Sequence, residues 1–318
     1  MFRKFKLTSL ILVLALILSL AGCTTDKEPA TNTEPAKNTE QSTNESDVLA
    51  QVVSDYYTNM GSDIYKISQK EFVDKVKAGE DMFILDIRQP DVYNEGHIKG
   101  AVNAPWGTAI SENLDKLPKS KPIMVYCYTG QTAGQTVALL NMAGFDAKSV
   151  NLGWNLGISK VEGVEEVIET TANEFGQPTG VEIQAEIKDA INKYFAGLAD
   201  VKGTTYANYK ISEDNAKKLL DQEDNSVIFL SIRKAEHYNE GHIQGAINIP
   251  FGKEMHKEFN TLPKDKKIIV YCYTGQTAGQ TVAALRLIGY DAVSLNGGTG
   301  MKANAPFGWT NKGYELVK

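Results

Sequence analysis

The chain has 318 residues, with 33 Lys and Arg against 39 Asp and Glu, a formal net charge of -6 and 42% hydrophobic residues. That length holds two ordinary domains besides a processing segment, and the apolar content allows each a proper core. The acidic balance argues against nucleic acid or an anionic membrane surface as the main partner.

Met1 to Lys6 carries Arg3, Lys4 and Lys6, and an apolar run from Leu7 to Leu20 follows. The run is short for a membrane span, which takes about 20 residues, and fits the middle of a secretory signal. Leu20-Ala21-Gly22-Cys23 resembles the lipobox of bacterial lipoproteins, which implies a signal peptide over residues 1–22 and a lipid-modified Cys23. The expected location is then extracytoplasmic, anchored to the bacterial cell membrane. Residues 23–47, rich in Thr, Asn, Glu, Lys and Pro, read as a solvated tether without a core of its own.

Beyond the tether the chain repeats itself. YKIS at Tyr65 recurs at Tyr209, and MFILDIR ending at Arg88 is answered by VIFLSIR ending at Arg233. YNEGHI occurs at Tyr93 and Tyr238, and VYCYTGQTAGQTVA occurs letter for letter from Val125 and from Val270, an offset of about 145 residues. So long a period indicates a duplicated domain rather than a solenoid. The expected domains are 48–175 and 181–318, separated by the Gly- and Pro-containing stretch Glu174 to Gly180.

Each half opens on an amphipathic helix, with Leu49, Val52, Val53 and Tyr56 on one face in the first and Ile183, Ile187, Ile191 and Tyr194 in the second, read as ordinary packing helices. Phe83-Ile84-Leu85 and Ile228-Phe229-Leu230 are short apolar runs of the kind buried in a parallel sheet. Ile123 to Tyr126 and Ile268 to Tyr271 are two more, each ending at a cysteine. Helices are expected over Thr132 to Met142 and Thr277 to Leu287, stopped by Gly144 and Gly289, and strands near Ala147 to Leu152 and Ala292 to Leu295. Alternating strands and helices give an α/β fold, whose ligands sit at the carboxyl ends of the strands, where Cys127 and Cys272 fall. Equivalent cysteines on separate copies seldom meet within disulfide distance, so both are expected as free thiols.

A strand that ends in Cys-Tyr-Thr-Gly-Gln-Thr and runs into a helix puts a thiol where amide groups lack intrahelical partners and the dipole favours an anion. The dipole is worth about 0.3 to 1 kcal/mol, too little by itself to ionise a free thiol. Loop amides must supply the rest, and Gly130 and Gly275 let the loop curl around the sulfur. The four histidines offer no paired base. His97 and His242 sit in the GHI turns and either fold toward the thiols or, the more frequent case, bond the turn backbone, while His237 and His256 have no counterpart in the first copy. No cluster has metal-ligand spacing, and neither metal nor cofactor is expected.

The series DIR, YNEGHIKGAVNAP and LPKSKPIMVYCYTGQTA, repeated in the second half, resembles a rhodanese domain over roughly residues 65–157 and 209–300. The resemblance implies two tandem rhodanese-like domains, each a small, mostly parallel sheet flanked by helices. It also implies a sulfurtransferase whose cysteine takes a sulfane sulfur from a small donor and passes it to a thiophilic acceptor such as cyanide or a thiol. By that carry-over Cys127 and Cys272 are the nucleophiles. Tyr128, Thr129, Gly130, Gln131 and Thr132, with Tyr273, Thr274, Gly275, Gln276 and Thr277, hold the persulfide, Thr132 and Thr277 being placed to hydrogen-bond it. Asp86, Arg88 and Arg233 are supporting residues, the arginines tying the GHI loop beneath the site.

Members that use thiosulfate carry basic residues just after the cysteine, where this chain has Tyr128-Thr129 and Tyr273-Thr274. The missing donors weaken dianion binding by about 1.5 to 3 kcal/mol per contact, which favours polysulfide or organic persulfide. Asp86 becomes Ser231 in the second copy, and Val92 becomes His237. Tyr126, Tyr128, Tyr271 and Tyr273 either line the pocket or pack on a neighbouring strand. Two other functions stand beside the transferase: a persulfide carrier without turnover, and a phosphatase, which would need an Arg closing the loop where Thr132 and Thr277 stand.

Overall fold

In the computed structural model, which describes residues 39–318, the two halves fold alike because the same apolar runs and caps recur in each. The expected signal peptide and Cys23 lie outside the described residues. So does most of the expected tether, whose last residues enter helix α1 (Thr39–Thr58). The first repeat continues with β1 (Lys66–Ile67), α2 (Gln69–Lys77), β2 (Phe83–Asp86), α3 (Pro90–Glu95), β3 (His97–Ile98), β4 (Ala101–Asn103), α4 (Thr108–Glu112), β5 (Ile123–Tyr126), α5 (Gln131–Met142), β6 (Ala147–Val150), α6 (Gly153–Leu156) and β7 (Ile168–Glu169). The second has α7 (Ala185–Ala196), β8 (Lys210–Ile211), α8 (Glu213–Asp221), β9 (Val227–Ser231), α9 (Ala235–Glu240), β10 (Ile247–Asn248), β11 (Lys267–Tyr271), α10 (Gln276–Leu287) and β12 (Ala292–Leu295).

Each repeat builds a five-stranded parallel sheet flanked by helices, in the orders β1-β6-β5-β2-β4 and β8-β12-β11-β9-β10. The cysteine strands β5 and β11 are central, and Ile123 to Tyr126 are buried throughout, as a strand covered on both faces requires. The short first strands end where the recurring YKIS motif supplies a helix cap. The Ser68 and Ser212 hydroxyls accept from the amides of Glu71 and Asn215, at 3.1 and 3.2 Å. Such a cap is worth about 1 kcal/mol and turns the chain into α2 and α8 directly after Lys66-Ile67 and Lys210-Ile211.

The repeats join through the helices that follow the cysteines. α5 and α10 cross so closely that a Cβ on Gly134 would stand 2.2 Å from the Gln276 carbonyl oxygen, and one on Gly279 would stand 2.4 Å from that of Gln131. Only glycine allows two backbones to approach this far, which explains why AGQ recurs in both copies. The main core runs unbroken across this seam, from Val125 and Val137 to Val270 and Val282.

The opening helices are exchanged. Tyr57 of α1 makes edge contacts with Phe251 and Phe259 of the second repeat, and the Tyr56 hydroxyl donates to Gln280 Oε1 at 2.9 Å. Reciprocally, Phe195 of α7 packs edge-on to Trp106 of the first repeat, and the Tyr194 hydroxyl donates to Gln135. The amphipathic pattern gives each helix a buried face, and that face spans the seam, touching its own repeat as well, where Tyr56 stacks on Tyr65 and Tyr194 packs edge-on to Tyr209.

Candidate active site

Cys127 and Cys272 close the central strands and are each only 2% exposed, and both are free thiols, as the sequence led us to expect. The Gly130 amide donates to Cys127 Sγ at 3.1 Å and the Ala133 amide at 3.4 Å. In the second repeat the Gly275 amide donates to Cys272 Sγ, also at 3.1 Å. Gly130 and Gly275 have φ of 91° and 90°, left-handed values that aim these amides back at the sulfur as the chain enters α5 and α10. The strand ends are pinned from behind, since the Cys127 carbonyl accepts from the Trp154 amide and the Cys272 carbonyl from that of Thr299, both at 2.8 Å.

The remaining loop residues divide by direction. Thr129 and Thr274 lie with Leu156, Asn296 and Phe307 around one narrow gap, too small to admit a water molecule, so the two loops sit beside each other. Tyr128 and Tyr273 turn outward, their hydroxyls accepting from the Gln89 and Lys234 amides at 3.0 and 3.2 Å. In the second repeat His237 Nδ1 also reaches the Tyr273 hydroxyl, at 2.6 Å, a contact Val92 cannot make. Gln131 and Gln276 point away from their own sulfur into the other repeat. Gln131 Nε2 donates to Ser294 Oγ at 2.6 Å, and Gln276 Nε2 to Ser149 Oγ at 2.7 Å. The donors that reach the sulfurs are amides, and among the described residues the Thr132 and Thr277 hydroxyls make no hydrogen bond to either.

Tyr126 and Tyr271 are fully buried, and their hydroxyls accept from the Ile98 and Ile243 amides at 3.2 Å. Burial, followed by the charge of Asp86, pushes the Tyr126 phenol well up, so it stays neutral and props the GHI loop. Arg88 lies beneath that loop. Its Nε and Nη2 meet Asp86 at 3.0 and 2.6 Å, Nη2 also donates to the Gly96 carbonyl at 2.8 Å, and the guanidinium stacks 4.0 Å from the Trp154 ring centroid. Arg233 repeats the bond to the Gly241 carbonyl, but with Ser231 in place of the carboxylate its buried Nε has no partner among the described residues. Nδ1 of His97 and of His242 engages the Tyr93 and Tyr238 carbonyls, at 2.8 and 3.2 Å, so both histidines serve their turns.

The arrangement offers a buried sulfur, amides aimed at it and the positive end of a helix, twice over. These parts stabilise negative charge on sulfur and involve no side-chain base.

The chain is 39% identical over 72 residues to the thiosulfate sulfurtransferase PspE of Escherichia coli, covering 22% of this chain and 68% of that protein. It is 36% identical over 83 residues to the thiosulfate sulfurtransferase GlpE of Coxiella burnetii, covering 26% and 76%. Of another relative, from Bacillus subtilis, the match spans only 45% of the length. Among solved structures, a thiosulfate sulfurtransferase of Pseudomonas aeruginosa aligns with 82% of this chain and 47% of its own, at 19% identity and a TM-score of 0.30, a distant likeness. The model of the rhodanese-like domain matches residues 68–159 and again 212–300, together more than half of the chain, which therefore belongs to the rhodanese-like domain family and carries two such domains in tandem.

Proposed function

We propose that both repeats are working sulfurtransferase centres that cycle through a cysteine persulfide. The observation that carries this reading is the amide cradle at each sulfur, Gly130 and Ala133 around Cys127 and Gly275 at Cys272. The thiolate attacks the sulfane sulfur of the donor. A new S–S bond forms, the donor's own bond to that sulfur breaks, and the leaving group departs with the electron pair, as sulfite if the donor is thiosulfate. The terminal sulfur of the persulfide then passes to a nucleophile, giving thiocyanate from cyanide or a new persulfide from a thiol, and the thiolate is regenerated. Amide bonds to a charged acceptor contribute about 1.5 to 3 kcal/mol each, the right order to hold an anionic sulfur in a site without a base. Thiosulfate, polysulfide and organic persulfide all fit this scheme as donors. Anchorage through Cys23 on the outer side of the cell membrane completes the proposal, so that the two centres face extracytoplasmic sulfur compounds.

The carrier alternative differs in turnover. With each donor in turn and cyanide as acceptor, a transferase releases thiocyanate linearly far beyond the amount of protein, and that is the expected result. A burst of at most one thiocyanate per cysteine, followed by a plateau, would assign the chain to carriage.

A further inference from the structure

Lys66 and Lys210 belong to the repeated YKIS motif, and each is fixed in place by its sheet. Lys66 pairs with Ser149 across β1 and β6, and Lys210 pairs with Ser294 across β8 and β12. Paired residues of adjacent strands put their side chains on the same face of the sheet. On that face Ser149 Oγ receives Gln276 and Ser294 Oγ receives Gln131, the residues that begin the helix behind the opposite cysteine. Further bonds hold the same seam. Gln276 Nε2 reaches the Val150 carbonyl at 3.3 Å, Gln131 Nε2 the Leu295 carbonyl at 3.1 Å, and Gln280 Nε2 the Ile64 carbonyl at 3.2 Å. Each lysine is thus carried by its sheet edge to the first turn of the helix that follows the cysteine of the other repeat.

Both side chains are partly buried, and among the described residues neither forms an ion pair with a carboxylate. A partly buried ammonium needs a compensating anion. Burial lowers the pKa of both ammonium groups, and the opposing, charge-favouring influence comes from Cys272 on Lys66 and from Cys127 on Lys210. Glu213 adds to it at Lys210 only, and the first copy has Gln69 at that position.

We infer that the two centres are composite, with Lys66 of the first repeat supplying the positive charge at Cys272 and Lys210 of the second supplying it at Cys127. The inference rests on the sulfurtransferase reading and deepens it. The basic residues missing from the loops after Cys127 and Cys272 are replaced by one lysine delivered from across the seam, so the sites select anionic sulfane donors such as thiosulfate and polysulfide. It also gives the tandem arrangement a purpose, since a single repeat would hold a cysteine without its cation.

The test compares alkylation by anionic iodoacetate and neutral iodoacetamide, read separately at Cys127 and Cys272 by peptide mass in the full-length chain. The ratio of the two rates reports local potential, and it can be measured whether or not the protein transfers sulfur. Lys66→Met is expected to lower the iodoacetate to iodoacetamide ratio at Cys272 several-fold, as loss of one nearby positive charge does, and to leave Cys127 as it was. Lys210→Met should do the reverse, and Lys66→Arg should keep the native ratio. Lys66→Gln, which keeps a polar side chain, should act as Lys66→Met does and separates loss of charge from loss of packing. Ratios unchanged in the Met and Gln variants, or lowered at the cysteine of the same repeat, would overturn the inference.

Discussion

Serine in place of both Cys127 and Cys272 is expected to abolish thiocyanate formation, while either single replacement leaves about half of it, the two centres adding independently. The near-identity of the sites supports this. In both, a glycine amide stands 3.1 Å from a sulfur that is 2% exposed, at the end of a central strand. A hydroxyl is too weak an acid to be ionised by amides and a helix dipole, so the serine variants keep the fold and lose the nucleophile. The assay is steady-state thiocyanate release. Complete loss from one single variant would mean that only one centre turns over, and activity surviving in the double variant would remove both cysteines from the mechanism.

The second large effect is on stability. Asp86→Ser leaves the Arg88 guanidinium, 1% exposed, with the Gly96 carbonyl and the Trp154 ring and no counter-ion. Removing one partner of a buried pair costs about 3 to 5 kcal/mol, visible as a lower midpoint of urea unfolding. The chain contains a natural counterpart in Ser231, beside which Arg233 Nε is buried and has no partner among the described residues. Ser231→Asp should therefore move the midpoint upward, by about 1.5 kcal/mol for a restored charged hydrogen bond. An unchanged midpoint in Asp86→Ser would show that the pair does not anchor the GHI loop.

Much of the fold is legible in the sequence. Ile123 to Tyr126 and Ile268 to Tyr271 announce buried strands because every residue is apolar or aromatic, and the glycine three residues past each cysteine announces the curl of the loop. The tie of Arg88 and Arg233 to the GHI turns follows from their place in the repeat, and the bonds to the Gly96 and Gly241 carbonyls agree. What local pattern could not give is partnership across the seam. An amphipathic face says that α1 and α7 must be covered, and nothing in its period says that the cover is the other repeat. Gln131 and Gln276 sit in the loop that follows each cysteine in sequence, yet the glycine-mediated crossing of α5 and α10 carries their amides to Ser294 and Ser149. The recurrence of YKIS was visible without its reason, because Lys66 and Lys210 gain their significance from cysteines in the other half of the chain.

The most direct measurement is the intact mass of the full-length chain after incubation with thiosulfate or polysulfide and removal of excess donor, with Cys127 and Cys272 then assigned by peptide mass. The account predicts the added mass of one sulfur atom on each of these two cysteines, lost again on addition of cyanide. Absence of added sulfur from both with every donor would contradict it.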